Sequence, residues 1–278
     1  MVPRVPGVTA TLPRRPLLLC ALTLLLSVPF WVLGLATGGT LPGIGVSVAV
    51  GMVVVPAIVA TALAHGEGGR AGVRALWSQL RPRARGGWPP QSRRWWVVAV
   101  GLVPALTVFA LALTVLLDPD APPVGEVGLG GALLSALLSA PALVLLAVLE
   151  EIAWAGYATP PLRRRWGPLG AGVVTGLVWA AWHVVPWLQV NGAGWTGWLV
   201  VSTIAMRVVI VVVGTALGDS LWAAVLIHAM SNICFVASGE LYHPAPVALL
   251  MAMAAVGGRG RLGKGRALRR AAFLDSGP

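Results

Sequence analysis

The feature that most limits what this chain can become is its spacing of apolar runs. Eight can be read, near residues 16–38, 43–64, 95–117, 128–157, 168–189, 196–217, 219–237 and 245–257. A bilayer's hydrocarbon core takes about 20 apolar residues of helix to cross. Inside it the backbone must close its own hydrogen bonds, which a helix does. The chain is 57% apolar and 10% charged, with mean hydropathy +0.84; soluble domains carry about 25% charged residues. The predicted fold class is therefore all-α: a polytopic membrane helix bundle of about eight transmembrane helices. It forms one integral membrane domain over 1–278.

The net charge of +11 comes in clusters between the runs. Arg4, Arg14 and Arg15 precede the first run, and Arg70 to Arg94 separate the second and third. Arg163, Arg164 and Arg165 separate the fourth and fifth, and Arg259 to Arg270 follow the eighth. With eight spans, all of them fall on one side. The opposite loops hold only Asp118, Asp120, Glu126 and Glu240 as charges. Basic residues favour the cytoplasmic side, so both termini are expected inside. Segment 65–94 reads as a cytoplasmic Arg/Gly/Pro-rich loop near anionic headgroups, and 258–278 as a basic cytoplasmic tail. Losing the last two spans together would preserve the charge pattern, so six spans plus a re-entrant pair is the alternative.

Clustering of this kind does not make a nucleic-acid face, and no nucleic acid is expected as a partner. The first run is long for a signal core and lacks a clear cleavage site, so it reads as a retained span. Cys20 and Cys234 lie within apolar runs and form no metal spacing. Arginine outnumbers lysine nineteen to one, a bias that suggests a high-GC bacterial genome and hence a bacterial inner membrane. Residues 258–265 superficially resemble a phosphate loop, but they follow no strand and lack the Ser/Thr after Lys264. No internal repeat favours a transporter using a proton relay.

Against this background, Glu150 and Glu151 stand out. The chain has nine acidic residues, and two sit side by side near the end of an apolar run. Each costs roughly 2.5–3.5 kcal/mol at a helix centre on insertion scales, so a functional site with partners elsewhere is the default reading. Other polar groups lie at comparable depth. Trp179 and His183 share a face of the fifth run through i, i+4 spacing, as do His228 and Asn232 on the seventh. Arg207 lies in the middle of the sixth, where it can answer an under-partnered glutamate. Asp219 reads as the N-cap of the seventh run. Trp154, Trp166, Trp187, Trp195 and Trp198 read mostly as an interfacial belt.

Carboxylates with imidazoles suit the activation of water. Neighbouring glutamates point about 100° apart on a helix, so one can face a cavity while the other anchors. His183 can help hold the water, and His228 with Asn232 can bind water or a developing oxyanion. No Ser-His-Asp arrangement or Cys nucleophile beside a His is visible.

The order Glu150-Glu151, Trp179-x3-His183, His228-x3-Asn232 resembles the EExxxR, (F/W)xxxH and HxxxN motifs of the CPBP family, the CAAX prenyl protease and bacteriocin-processing or Abi intramembrane endopeptidases. The resemblance spans roughly residues 128–236. It implies hydrolysis of a peptide bond in or beside the membrane. Glu150 would be the base, Glu151 would support it, and His183, His228 and Asn232 would complete the site. The substrate would be a peptide or membrane protein, and the lipid bilayer the surrounding partner. A divalent metal such as zinc stays open, although no HExxH is present and a hydrolytic zinc site usually has three protein ligands. The sequence departs from the pattern at Ala155, where the family has arginine. Arg207 is the expected substitute. The alternative is a catalytically degenerate scaffold or immunity protein of the same fold.

Overall fold

A computed structural model describes residues 15–41, 43, 47–81, 92–117 and 128–238. The eighth apolar run and the basic tail at 258–278 lie outside the described residues, as do residues 118–127. The described chain is helical apart from one isolated bridge, Thr40 to Ser47. Its helices are α1 (Pro16–Thr37), the short α2 (Val48–Met52), α3 (Val54–Trp77), α4 (Ser92–Leu117), α5 (Gly128–Ala153), α6 (Thr159–Val190), α7 (Ala193–Ala216) and α8 (Leu221–Ala237). A single 3-10 turn, Ser78–Leu80, follows α3, and a π-helical turn, Trp154–Ala158, joins α5 to α6.

Among the described residues, five stretches suffice by length and composition to cross a membrane: Pro16–Thr37, Val48–Leu80, Arg93–Leu113, Gly130–Val190 and Ala193–Ala216. Leu221–Ala237 is a shorter apolar helix. The fourth stretch folds back on itself. Glu150 and Trp179 are 29 residues apart yet hydrogen-bonded, whereas a straight helix would separate them by about 43 Å. The reversal includes Gly167, whose φ of 70° breaks the helix. Its arm is helical through Arg163, Arg164 and Arg165, where the sequence suggested a loop. This is a membrane protein of stacked apolar helices, and its exposed surface is the apolar one that lipid requires: Leu17, Leu25, Leu137 and Leu138 all face outward.

Within the 65–94 segment, residues 65–80 depart from the linker expectation, while 82–91 lie outside the described residues. Helix α3 runs to Trp77, interrupted at Gly68 and Gly69, the latter with φ of 58°. Beyond that break the chain doubles back. Trp77 Nε1 donates to Thr61 Oγ1 at 3.1 Å, although sixteen residues of straight helix would span about 24 Å. Leu76 is buried, and the Leu80 carbonyl accepts from Trp222 Nε1 at 3.0 Å. Burial of Leu76 and these two bonds make residues 70–80 part of the folded body.

Helices α6 and α7 make the most extensive pairing, and α5 packs against α8. Helix α7 is the most enclosed of the long spans, with 61% of its apolar window buried against 22% for α4. Two glycines let α7 come close. A Cβ on Gly172 would stand 2.7 Å from Val208 Cα, and one on Gly176 would stand 3.0 Å from Ile204 Cα and 3.2 Å from Arg207 Cβ. Small residues that admit close backbone approach are the usual device for packing helices in lipid.

At one end of the bundle the start of α1, the folded-back part of α3, the π turn and the α7–α8 turn meet. Tyr157 donates its hydroxyl to Glu67 Oε1 at 2.6 Å and accepts from the Arg15 backbone N–H at 3.1 Å. Gln79 Nε2 donates to the Gly156 carbonyl at 3.3 Å. Arg163 pairs with Asp219 at 2.6 Å. Asp219 is not the N-cap of α8. It sits at φ of 63° in the turn, and Ser220 caps the helix by accepting from Ala223 N–H. A residue held in the left-handed region cannot also hold the extended cap geometry.

Candidate active site

Glu150 and Glu151 end α5 just before the π turn, and the structure separates their surroundings sharply. Glu151 is completely buried. Its Oε2 accepts from Arg207 Nη1 at 2.7 Å, and its Oε1 accepts from Arg207 Nη2 at 2.8 Å and from His228 Nδ1 at 2.9 Å. The bidentate fork is the strong form of an arginine–carboxylate pair. It joins α5 to α7, and the histidine adds α8. Arg207, itself fully buried, thus pairs with Glu151 from α7, as expected of the arginine substitute.

Glu150 has a different partner. Its Oε2 accepts from Trp179 Nε1 at 2.6 Å, and its Oε1 accepts no hydrogen bond among the described residues. Trp179 is the hub of the cluster. The Arg207 guanidinium carbon lies 4.2 Å from its ring centroid. His183 and His228 approach the same ring edge-on, at centroid distances of 5.4 and 5.0 Å. Trp179 and His183 thus share a face as expected, in edge-on contact, and a second imidazole joins them from α8.

The hydrogen bonds also orient the two imidazoles. A carbonyl or carboxylate oxygen accepts only, so Nδ1 is the protonated nitrogen in both rings. His183 donates from Nδ1 to the Trp179 carbonyl at 2.9 Å, and His228 donates to Glu151. In a neutral ring Nε2 is then a free acceptor. Trp182 packs at 4.6 Å and Trp187 at 5.0 Å from the His183 centroid, the latter nearly parallel at 19°. Asn232 lies one turn beyond His228, half-buried, and takes no part in the hydrogen-bond network among the described residues.

Two tryptophans assigned to an interfacial belt belong instead to this site. Trp154 is fully buried and meets Trp182 edge-on at 6.2 Å; Trp187 stacks on His183. The belt reading rested on their positions near run ends, and the chain reversal brings those ends inward. The supporting shell also holds a residue without a sequence signal: Ser27 on α1, which accepts from Trp182 Nε1 at 2.7 Å. Glu67 was readable only as a lone acid in an arginine-rich segment.

A pocket of about 40 Å³ lies one turn from the network, lined among others by Ala155, Arg163, Val211, Asp219 and Ala224. Ala155, Val211 and Ala224 are each four residues from Glu151, Arg207 and His228 respectively. The small side chain at 155 thus opens space where an arginine would lie.

Among the described residues no three His, Cys, Asp or Glu side chains converge as a metal set would, and both oxygens of Glu151 are already engaged. No step is derived through a metal.

No curated protein matches the chain. A family profile does, that of the type II CAAX prenyl endopeptidase Rce1-like proteins, over residues 132–234. The match takes in Glu150-Glu151, Trp179-x3-His183, Arg207 and His228-x3-Asn232 together. Over residues 132–234 the chain is therefore similar to the Rce1-like type II CAAX prenyl endopeptidases, the kind of family that its motifs resemble.

Proposed function

We propose that this protein is an intramembrane endopeptidase of the bacterial cell membrane, hydrolysing a peptide or membrane-protein substrate with water activated by Glu150. One observation carries the choice of base. Of two adjacent carboxylates, Glu151 is consumed by Arg207 and His228, while Glu150 keeps an oxygen open. A base needs a lone pair directed at water; Glu151 is fully buried and held by three hydrogen bonds, two of them from a cation.

In this reading Glu150 takes a proton from water as the oxygen attacks the peptide carbonyl carbon. The carbon–nitrogen bond then breaks, and Glu150 returns the proton to the leaving amine. The water's other hydrogen is held by the Nε2 atom of His183 or of His228, each an acceptor in the neutral ring. In the neutral ring Nδ1–H of His228 is committed to Glu151 and Nε2 accepts from water; a ring protonated on both nitrogens would instead donate Nε2–H to the oxyanion. The amide of Asn232 is another candidate donor to the oxyanion. Trp179 keeps Glu150 in place through its indole N–H.

The second reading is a non-catalytic scaffold or immunity protein of the same fold. Ala155 favours it, yet Arg207 supplies the pairing that position 155 lacks. Wild type and Glu150→Gln, expressed to equal membrane levels in a host lacking the gene, are compared by mass spectrometry of membrane peptides. Cleavage products present with wild type and absent with the variant support the endopeptidase. Identical peptide sets favour the scaffold.

A further inference from the structure

The structure assigns to Arg207 a positioning role in both arms of the candidate site at once. It rests on the endopeptidase reading for what Glu150 and His228 do, but its geometry stands apart from that reading. The guanidinium has two working surfaces. Its edge forks onto both oxygens of Glu151, and Glu151 in turn accepts from His228 Nδ1. Its charge sits over Trp179, the guanidinium carbon 4.2 Å from the ring centroid, and the Trp179 indole N–H is bonded to Glu150. One side chain on α7 thereby sets a histidine on α8 through α5, and a glutamate on α5 through α6.

The two arms require different properties of the same group. The first needs two parallel N–H donors, which fix Glu151 against rotation and leave Oε1 aimed at His228. With Oε1 held, His228 keeps its proton on Nδ1 and presents Nε2. The second needs a planar cation to lie on the indole face; this holds the ring so that its N–H stays aimed at Glu150. Lysine retains the charge but has neither the fork nor the plane. Arg207 Nε finds no acceptor among the described residues. The buried group is thus committed to these two contacts and is not spread over a wider network. Gly176 belongs to the same device. The close approach of Arg207 Cβ to it, 3.2 Å from where a Cβ would sit, brings the guanidinium within reach of Trp179.

The test reads the two hydrogen bonds directly. Protein labelled with ¹⁵N at tryptophan and histidine side chains is reconstituted in micelles, and wild type is compared with Arg207→Lys and Arg207→Met. The Trp179 indole resonance is assigned by its loss in Trp179→Phe, and the His228 ring by its loss in His228→Gln. Trp222, bonded to the Leu80 carbonyl, and Trp182, bonded to Ser27, are internal controls. The expected result is a shift of the Trp179 indole N–H and loss of the single Nδ1–H tautomer pattern of His228 in both variants, with Trp222 and Trp182 unmoved. If only Arg207→Lys folds, that variant alone carries the test. Overturning results are an unmoved Trp179 or His228 signal in Arg207→Lys, or movement of Trp222 and Trp182 along with them, which would mark a general structural role. An inactive protein with both arms coupled refutes the endopeptidase and leaves this positioning intact.

Discussion

Substituting Gly172 by alanine isolates one packing term. In a helix interior alanine is favoured over glycine by about 0.5–1 kcal/mol. Opposing this, the added Cβ would lie 2.7 Å from Val208 Cα, 3.1 Å from its Cγ2 and 3.3 Å from its Cβ. Carbon atoms pack best about 3.5–4.0 Å apart, so α7 must retreat by about 1 Å, and the nearest atom is backbone that no rotamer change can move. Overpacking of this kind costs about 1–3 kcal/mol, which exceeds the propensity gain over most of its range. Gly101 in α4 is the control, since a Cβ there meets nothing within 4 Å. The propensity terms cancel between the two variants, leaving the clash. Melting of the detergent-solubilised protein should place Gly172→Ala about 2–12 °C below Gly101→Ala, at about 2–4 °C per kcal/mol. The displaced residue adjoins Arg207, whose bonds of 2.7 and 2.8 Å would stretch past the usual limit of about 3.2 Å. Loss of proteolytic products should therefore accompany loss of stability. If Gly172→Ala melts at or above Gly101→Ala, the close α6–α7 contact is not what holds these helices.

Three further substitutions probe other contacts by the same melting assay. Arg207→Met strands a fully buried Glu151 and should cost about 3–5 kcal/mol, most of it recovered in Arg207→Met/Glu151→Gln; equal melting of single and double variants would contradict the isolated-charge argument. Ser27→Ala removes the acceptor of a buried indole N–H on Trp182 and should cost about 1–3 kcal/mol, so an unchanged melting point would remove Ser27 from the supporting shell. Asp219→Gly relieves a left-handed residue, worth roughly 1 kcal/mol, while losing a half-exposed ion pair with Arg163 worth about 0.2–1 kcal/mol; a melting point within a few degrees of wild type is expected, and a large drop would mean that the pair organises the turn.

The residues of the site were readable in the sequence because lipid makes polarity conspicuous. Glu150, Glu151, Arg207 and His228 are each too costly within an apolar run to be incidental, and an arginine facing a glutamate across helices follows from charge alone. Their division of labour was not readable. Which glutamate anchors depends on how α5 is rotated against α7 and α8, and no residue spacing within α5 records that. Nor was the course of the chain between the runs. Gly68–Gly69 and Gly167 are backbone breaks among many glycines, and only the contacts made beyond them, Trp77 to Thr61 and Trp179 to Glu150, reveal that the chain turns back. Trp154 shows the same limit: its place near a run end suggested an interface, while its burial depends on Trp182 arriving from another helix.

The π turn at Trp154–Ala158 carries a consequence for how this chain tolerates change in length. Thr159 N–H reaches back five residues to the Trp154 carbonyl, and Thr159 Oγ1 bonds to the same oxygen at 2.8 Å. The rod is fastened on both sides of this turn: below it at Glu151, to α7 and α8, and above it at Tyr157, to Glu67 and the start of α1. A regular helix advances about 100° per residue, so two fastenings a few residues apart have a fixed angular phase. The wider turn works as a vernier that lets both engage together. Deleting any one residue between 154 and 158 would rotate one fastening out of phase with the other, whichever side chain was removed, so at this point the count of residues is as much a part of the specification as their identities.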